Sequence, residues 1–149
     1  MSTSTSRQST LYQGINTEPL EVLTDKPLSS PRPTPLLFVH GAWHGAWCWT
    51  EHFLPYFSAK GYACYALNLR GHGRSSIKGS VRFVRIADYV ADVEEVAARI
   101  PAPPVLVGHS MGGFITQKYL ERHHAPAGGS AGFPAAGGAS KHSVKVGSA

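Results

Sequence analysis

The stretch Gly108-His109-Ser110-Met111-Gly112-Gly113 constrains this chain more than any other, because of what stands on either side of it. Val105-Leu106-Val107 is a continuous apolar run, the pattern of a strand buried on both faces. Phe114, Ile115 and Tyr119 begin a helix that runs to about His123. A serine between such a strand and such a helix is forced onto a tight turn. Small residues two before and two after it relieve the crowding, and its hydroxyl stands clear of the backbone at the positive end of the helix. No G-x-x-x-x-G-K-S/T and no G-x-G-x-x-G occurs, so phosphate-loop and dinucleotide readings both fail on spacing.

The rest of the pattern alternates. Leu36-Leu37-Phe38-Val39 and Ala63-Cys64-Tyr65-Ala66-Leu67 read as two further buried strands. Trp49, Phe53, Tyr56 and Phe57 recur at helical spacing, with Pro55 interrupting and Gly61 as the stop. Ile86, Val90, Val93, Ala97 and Ile100 step along one face of an amphipathic helix, which Pro101, Pro103 and Pro104 end. Strands alternating with helices predict an α/β fold: a parallel sheet with flanking helices and right-handed crossovers. Ahead of it, Leu11–Ile15 and Glu21–Thr24 can form a short hairpin.

Composition sets the boundaries. Residues 1–10 are Ser/Thr-rich without an apolar core, so they read as a disordered tail and not as a secretory signal. Residues 11–124 hold the periodic pattern. Of residues 125–149, 19 are Gly, Ala, Ser or Pro, which cannot offset their ordering entropy and read as a second disordered tail. No apolar run approaches the roughly 18 residues needed to span a bilayer. A cytoplasmic protein is expected, with Cys48 and Cys64 reduced and buried as small hydrophobes. The net charge is +5, but its one basic stretch (Arg70, Arg74, Lys78, Arg82, Arg85) fits a solvated loop and a helix start, so no nucleic-acid partner is expected.

A second element supports chemistry at Ser110. Val39-His40-Gly41-Ala42-Trp43-His44-Gly45-Ala46-Trp47 follows the first buried strand directly. A loop leaving the carboxyl end of a central strand is where an open α/β sheet holds its ligand. Acyl transfer needs two N–H donors where the carbonyl oxygen becomes an anion, and the backbone N–H groups of Ala42 and Met111 are the candidates. Trp43 and His109 are candidate substrate-binding residues. Trp43, Trp47 and Trp49 fit either an apolar pocket or core packing for the first helix. His40 and His44 have no third ligand, so loop packing is favoured over a metal, and no metal or cofactor is expected. His72 holds its own turn, and His109 positions its neighbour without acting as the base.

These motifs together resemble the N-terminal half of an α/β-hydrolase fold protein. The likeness runs from about Pro35 to His124 and takes in the His40-Gly41 loop, the turn Arg70-Gly71-His72-Gly73-Arg74-Ser75 and the Gly-His-Ser-Met-Gly-Gly turn, in the family's order. The loop His40–Trp49 is especially similar to the esterase and hydroxynitrile-lyase branch. Asn68 stands where many relatives carry Asp, which reads as turn chemistry without functional weight.

The resemblance implies a serine nucleophile followed by an acid and then a histidine. Only 39 residues follow Ser110, and Glu121 is the only acid among them. Eleven residues along a helix is about 16 Å of rise, which takes Glu121, His123 and His124 too far from Ser110. The fold is therefore expected to break off after the helix that follows Ser110, leaving the last strand's edge open. A frameshift, a truncation or an added tail would each account for residues 125–149. The implied function is a carboxylic ester hydrolase working through an acyl-enzyme on Ser110, on a small-molecule ester or acyl substrate. The chain alone is expected to be weak or inactive. A cofactor-free lyase, a perhydrolase and a non-catalytic fragment are the alternatives.

Overall fold

The computed structural model describes residues 7–13 and 19–126, and the backbone of 128–131. Three short apolar strands form its centre: β3 (Leu36–Val39), β4 (Cys64–Leu67) and β5 (Val105–His109). They are mutually parallel, with β3 in the middle, and register pairs Val39 with both Leu67 and Gly108. The loops leaving β3, β4 and β5 consequently emerge side by side at one end of the sheet.

The sheet is mixed. β1 (Arg7–Tyr12) and β2 (Leu20–Asp25) form an antiparallel hairpin, and β2 pairs antiparallel with β4. Arg7–Thr10, which their composition assigns to a tail, are the first part of β1. Their anchors are remote in sequence: Arg7 donates to the Thr50 carbonyl at 2.6 Å and Ser9 Oγ to Glu21 at 2.7 Å. Ile15, the expected end of that strand, lies outside the described residues. At the other edge Gly128–Ala131 form β6, parallel to β5. This short stretch of the Gly/Ala/Ser-rich segment covers the edge expected to be open, because a parallel ladder satisfies backbone groups without any large side chain. Residues 132–149 lie outside the described residues. The full order is β1-β2-β4-β3-β5-β6.

Helices cover both faces. α2 (Ile86–Ala97) and α3 (Met111–Leu120) lie on one side, where Val90, Val93, Val96, Ile115 and Tyr119 pack against Leu37, Leu67 and Leu106. On the other, α1 (Phe53–Ala59) and a 3-10 turn (Ala46–Trp49) close over Phe38 and Ala66. Fully burying each such side chain is worth roughly 1.5–3 kcal/mol. Pro55 does not kink α1, because it is the third residue of the helix, where no intrahelical N–H is required. Among the described residues no helix is long and apolar enough to cross a membrane.

Candidate active site

Ser110 is the hinge between β5 and α3, with φ 53° and ψ −119°, a left-handed conformation that non-glycine residues rarely adopt. Packing holds it there. A Cβ on Gly108 would lie 2.5 Å from the Gly112 carbonyl oxygen. A Cβ on Gly112 would collide with the Val39 carbonyl and come within 2.5 Å of that of His40. Both glycines are thus required by close backbone approach, and α3 starts hard against the end of β3. Phe114 N–H donates to the Ser110 carbonyl at 3.2 Å, continuing the helix from the turn.

The loop after β3 rests on this turn. A Cβ on Gly41 would lie 3.1 Å from Ser110 Cβ and 3.1 Å from His109 Nδ1. Ala42 follows directly, and Trp43 has φ 61° with 95% of its surface exposed. Trp47 is also largely exposed, whereas Trp49 is buried, its ring centroid 5.2 Å from that of Phe38. The three tryptophans therefore divide: Trp49 is core, and Trp43 and Trp47 face outward. The His44 ring stands edge-on to that of His109 and tilted against that of Trp47, each 5.7 Å away.

His40 is fully buried, and both of its ring nitrogens are committed. Nδ1–H donates to the Gly41 carbonyl at 2.8 Å, and Nε2 accepts from Leu69 N–H at 3.1 Å. Burial pushes its pKa down to about 4, against the pull of the Gly41 carbonyl. It is a neutral brace for the loop and has no lone pair left for a metal. Among the described residues no group of three or more His, Cys, Asp or Glu is placed to hold one. His72 Nδ1–H donates to the Arg70 carbonyl at its own turn, at 3.1 Å, and the ring centroid lies 4.9 Å from that of His40.

Two buried acids at this end of the sheet escaped the sequence pattern. Asp92 on α2 is 1% exposed and accepts three hydrogen bonds from Arg70, one from its backbone N–H at 2.9 Å and two from its guanidinium at 2.9 and 2.6 Å. Glu21 on β2 accepts from Asn68 Nδ2 (2.8 Å), Arg74 N–H (2.8 Å) and Ser9. Burial raises the Glu21 carboxyl, but the hydrogen bonds from Arg74, Ser9 and Asn68 outweigh it and leave the pKa below the ordinary value. An acid inside a strand or a helix carries no signal of burial on its own. The one clue available was Asn68, an amide where an acid is common.

No described residue hydrogen-bonds the Ser110 hydroxyl. Glu121 pairs with Lys118 at 2.8 Å, and His123 pairs with Glu94 at 2.8 Å while stacking on Tyr119. A cleft of about 360 Å³ between the 76–84 loop and α2 is not lined by Ser110 either.

Sequence and structure comparisons agree with this architecture. The model of the alpha/beta hydrolase family matches residues 36–145, and the chain belongs to that family. Norfluorocurarine synthase 1 of Strychnos nux-vomica is 36% identical over 89 residues, covering 58% of this chain and 33% of that protein. Protein phosphatase methylesterase 1 of Mus musculus is 37% identical over 83 residues, covering 54% and 22%. Among solved structures, the thioesterase domain from the curacin biosynthetic pathway superposes with a TM-score of 0.65 at 28% identity, covering 76% of this chain and 39% of that one. The chain thus spans about a third or less of the length of these curated relatives.

Proposed function

We infer that this chain carries the nucleophile and oxyanion-binding part of a carboxylic ester hydrolase. Ser110 Oγ attacks the acyl carbon of a small ester, and the alkoxide leaves with a proton. The negative charge on the carbonyl oxygen is met by the N–H groups of Ala42 and Met111, each such donor contributing about 2.7–4 kcal/mol to the transition state. Water then releases the acid. Trp43 and His109 line the approach to Ser110. No cofactor takes part in these steps.

The observation that supports this best is the left-handed Ser110 with Gly41 close against its Cβ, because that contact brings the loop carrying Ala42 next to the half-buried serine. Methylesterase and thioesterase relatives support acyl chemistry at such a site. No histidine or carboxylate among the described residues reaches Ser110, so ester turnover by the chain alone is expected to be lower by about 10⁶ than with a full triad.

A serine-directed aryl phosphonate tests the reading in the full chain. With no base beside Ser110, label is expected on it only slowly, over hours with excess reagent at raised pH, and none at that position in Ser110→Ala. A folded native chain in which Ser110 labels no faster than its other serines under those conditions would overturn the reading. A relative named as a synthase favours a second reading, non-hydrolytic chemistry on the same serine. Cleavage of a cyanohydrin in preference to an aryl ester would select it.

A further inference from the structure

The loop that carries Ala42 is anchored at two points by the end of β4. One is the His40 ring, held by Leu69 N–H. The other is the side chain of Asn68. Its Oδ1 accepts the Ala46 N–H at 2.7 Å, at the start of the 3-10 turn, and its Nδ2 donates to Glu21 Oε2 at 2.8 Å. Asn68 is 4% exposed and Glu21 6%.

The slot around this amide is built for it. A Cβ on Gly45 would lie 2.9 Å from Asn68 Oδ1, and one on Gly73, whose φ is 53°, would collide with Asn68 Nδ2 and lie 2.8 Å from Glu21 Oε2. Ser75 Oγ donates to the Asn68 carbonyl at 2.5 Å and accepts the Glu21 N–H at 2.8 Å, so backbone and side chain of both residues are tied together. Every polar atom of the strut has a partner of the opposite kind.

We propose that Asn68, held by Glu21, is a positioning residue that fixes the Gly41–Ala46 loop over Ser110, and that its amide is required because its two partners ask for opposite things. Ala46 offers a donor and Glu21 an acceptor. Only a side chain with one oxygen and one N–H group answers both. An aspartate at 68 could satisfy Ala46 but would set two carboxylates at about hydrogen-bond distance, where they cannot both ionise.

Amide hydrogen exchange of the native full chain tests the strut without any variant: Ala46 N–H is expected to be protected well beyond an open loop amide, and exchange as fast as an unstructured amide would overturn it. The catalytic part rests on the acyl-transfer reading and uses the rate at which the aryl phosphonate labels Ser110. Asn68→Asp is expected to slow labelling by about ten- to a hundredfold at pH 7.5, the scale of a small misplacement of a catalytic donor. The defect should shrink as pH falls and the two carboxyls share a proton. Glu21→Gln added to Asn68→Asp puts an NH2 opposite the new carboxylate at position 68, restoring that bond at the expense of the Arg74 N–H that shares Oε2, and should recover labelling at least about threefold over the single variant. A folded Asn68→Asp chain labelling at the native rate, or a folded double variant no faster than the single one, would overturn the positioning role. If Ser110 in the native chain labels no faster than its other serines, acyl transfer fails, while Ala46 exchange in the native, single and double variants still decides the strut.

Discussion

Glu21 and Asp25 are buried carboxylates four residues apart on β2, at opposite ends of one short strand, and their surroundings differ completely. Glu21, beside the candidate site, accepts three hydrogen bonds. Asp25, at the far end opposite Cys64 and Arg7, is fully buried, and neither of its oxygens has a hydrogen-bond partner among the described residues. Burial pushes the Asp25 carboxyl up, with the Ser58 hydroxyl and Arg7 pulling the other way, whereas the hydrogen bonds at Glu21 hold that carboxyl low. Cys64 beside it is pushed up to about 12, first by burial and then by Asp25. The same residue chemistry on the same strand is matched beside the candidate site and unmatched at the other end of the sheet.

Removing a partner at the matched end has the largest expected effect. Arg70→Ala leaves Asp92 buried without its cation, and such loss costs about 3–5 kcal/mol. Urea denaturation at pH 7 measures it. A cost below 1 kcal/mol would mean that Arg70, about a quarter exposed, is screened like an ordinary surface ion pair.

His40 gives the next effect, read along pH. Its folded pKa of about 4 lies below the unfolded value of 6.5, so the fold favours the neutral ring. That stabilisation is fully present above pH 6.5 and is lost as pH falls toward 4, in total about 3 kcal/mol. His40→Gln is expected to flatten this acid limb in denaturation curves taken from pH 7 to 4.5. An unchanged limb would place the acid sensitivity elsewhere.

At Glu21 the sign is that of a stabilised carboxylate. Its folded pKa is lowered, so its contribution is present above the unfolded pKa and lost as pH falls through the folded one. Glu21→Gln can keep its oxygen on Asn68 and Arg74 and turn its NH2 to the Ser9 hydroxyl, so it loses the acceptor's charge and not its partners, at a cost of about 2 kcal/mol over three charge-assisted bonds. Thermal unfolding at pH 7 should show it, and a neutral result would mean that the negative charge at position 21 adds nothing to those hydrogen bonds.

Much of the frame was legible in the sequence. Continuous apolar runs marked β3, β4 and β5, and the stepping from Ile86 to Ala97 marked α2, because burial on both faces and on one helical face leave direct periodicities. Gly108, Ser110 and Gly112 announced their tight turn because close backbone approach admits few residue types. The β1–β2 hairpin was legible only from Leu11 onward, since Arg7–Thr10 are exposed polar residues, and β6 was not legible, since a backbone ladder leaves no side-chain pattern in Gly128–Ala131. Glu21 and Asp92 stayed hidden because a charged residue reads as surface until its partner is known. Asn68 reads as turn chemistry for the same reason: its meaning lies in Glu21 and Ala46, which stand far from it in sequence.

Asp25 offers the smallest effect and the sharpest contrast, because its sign is opposite. The fold raises its pKa, so the folded chain binds the proton more tightly than the unfolded one. The associated stability is fully present below the unfolded pKa and is lost as pH rises through the folded value. Asp25→Asn cannot ionise and keeps the shape, so it is expected to gain about 1 kcal/mol at pH 7 and to gain nothing at pH 3.5, where the native carboxyl is already protonated. Paired denaturation curves at the two pH values check this. A loss at pH 7 would mean that Asp25 is ionised and held by Arg7 or Ser58, and the two ends of β2 would then be alike in matching their charges.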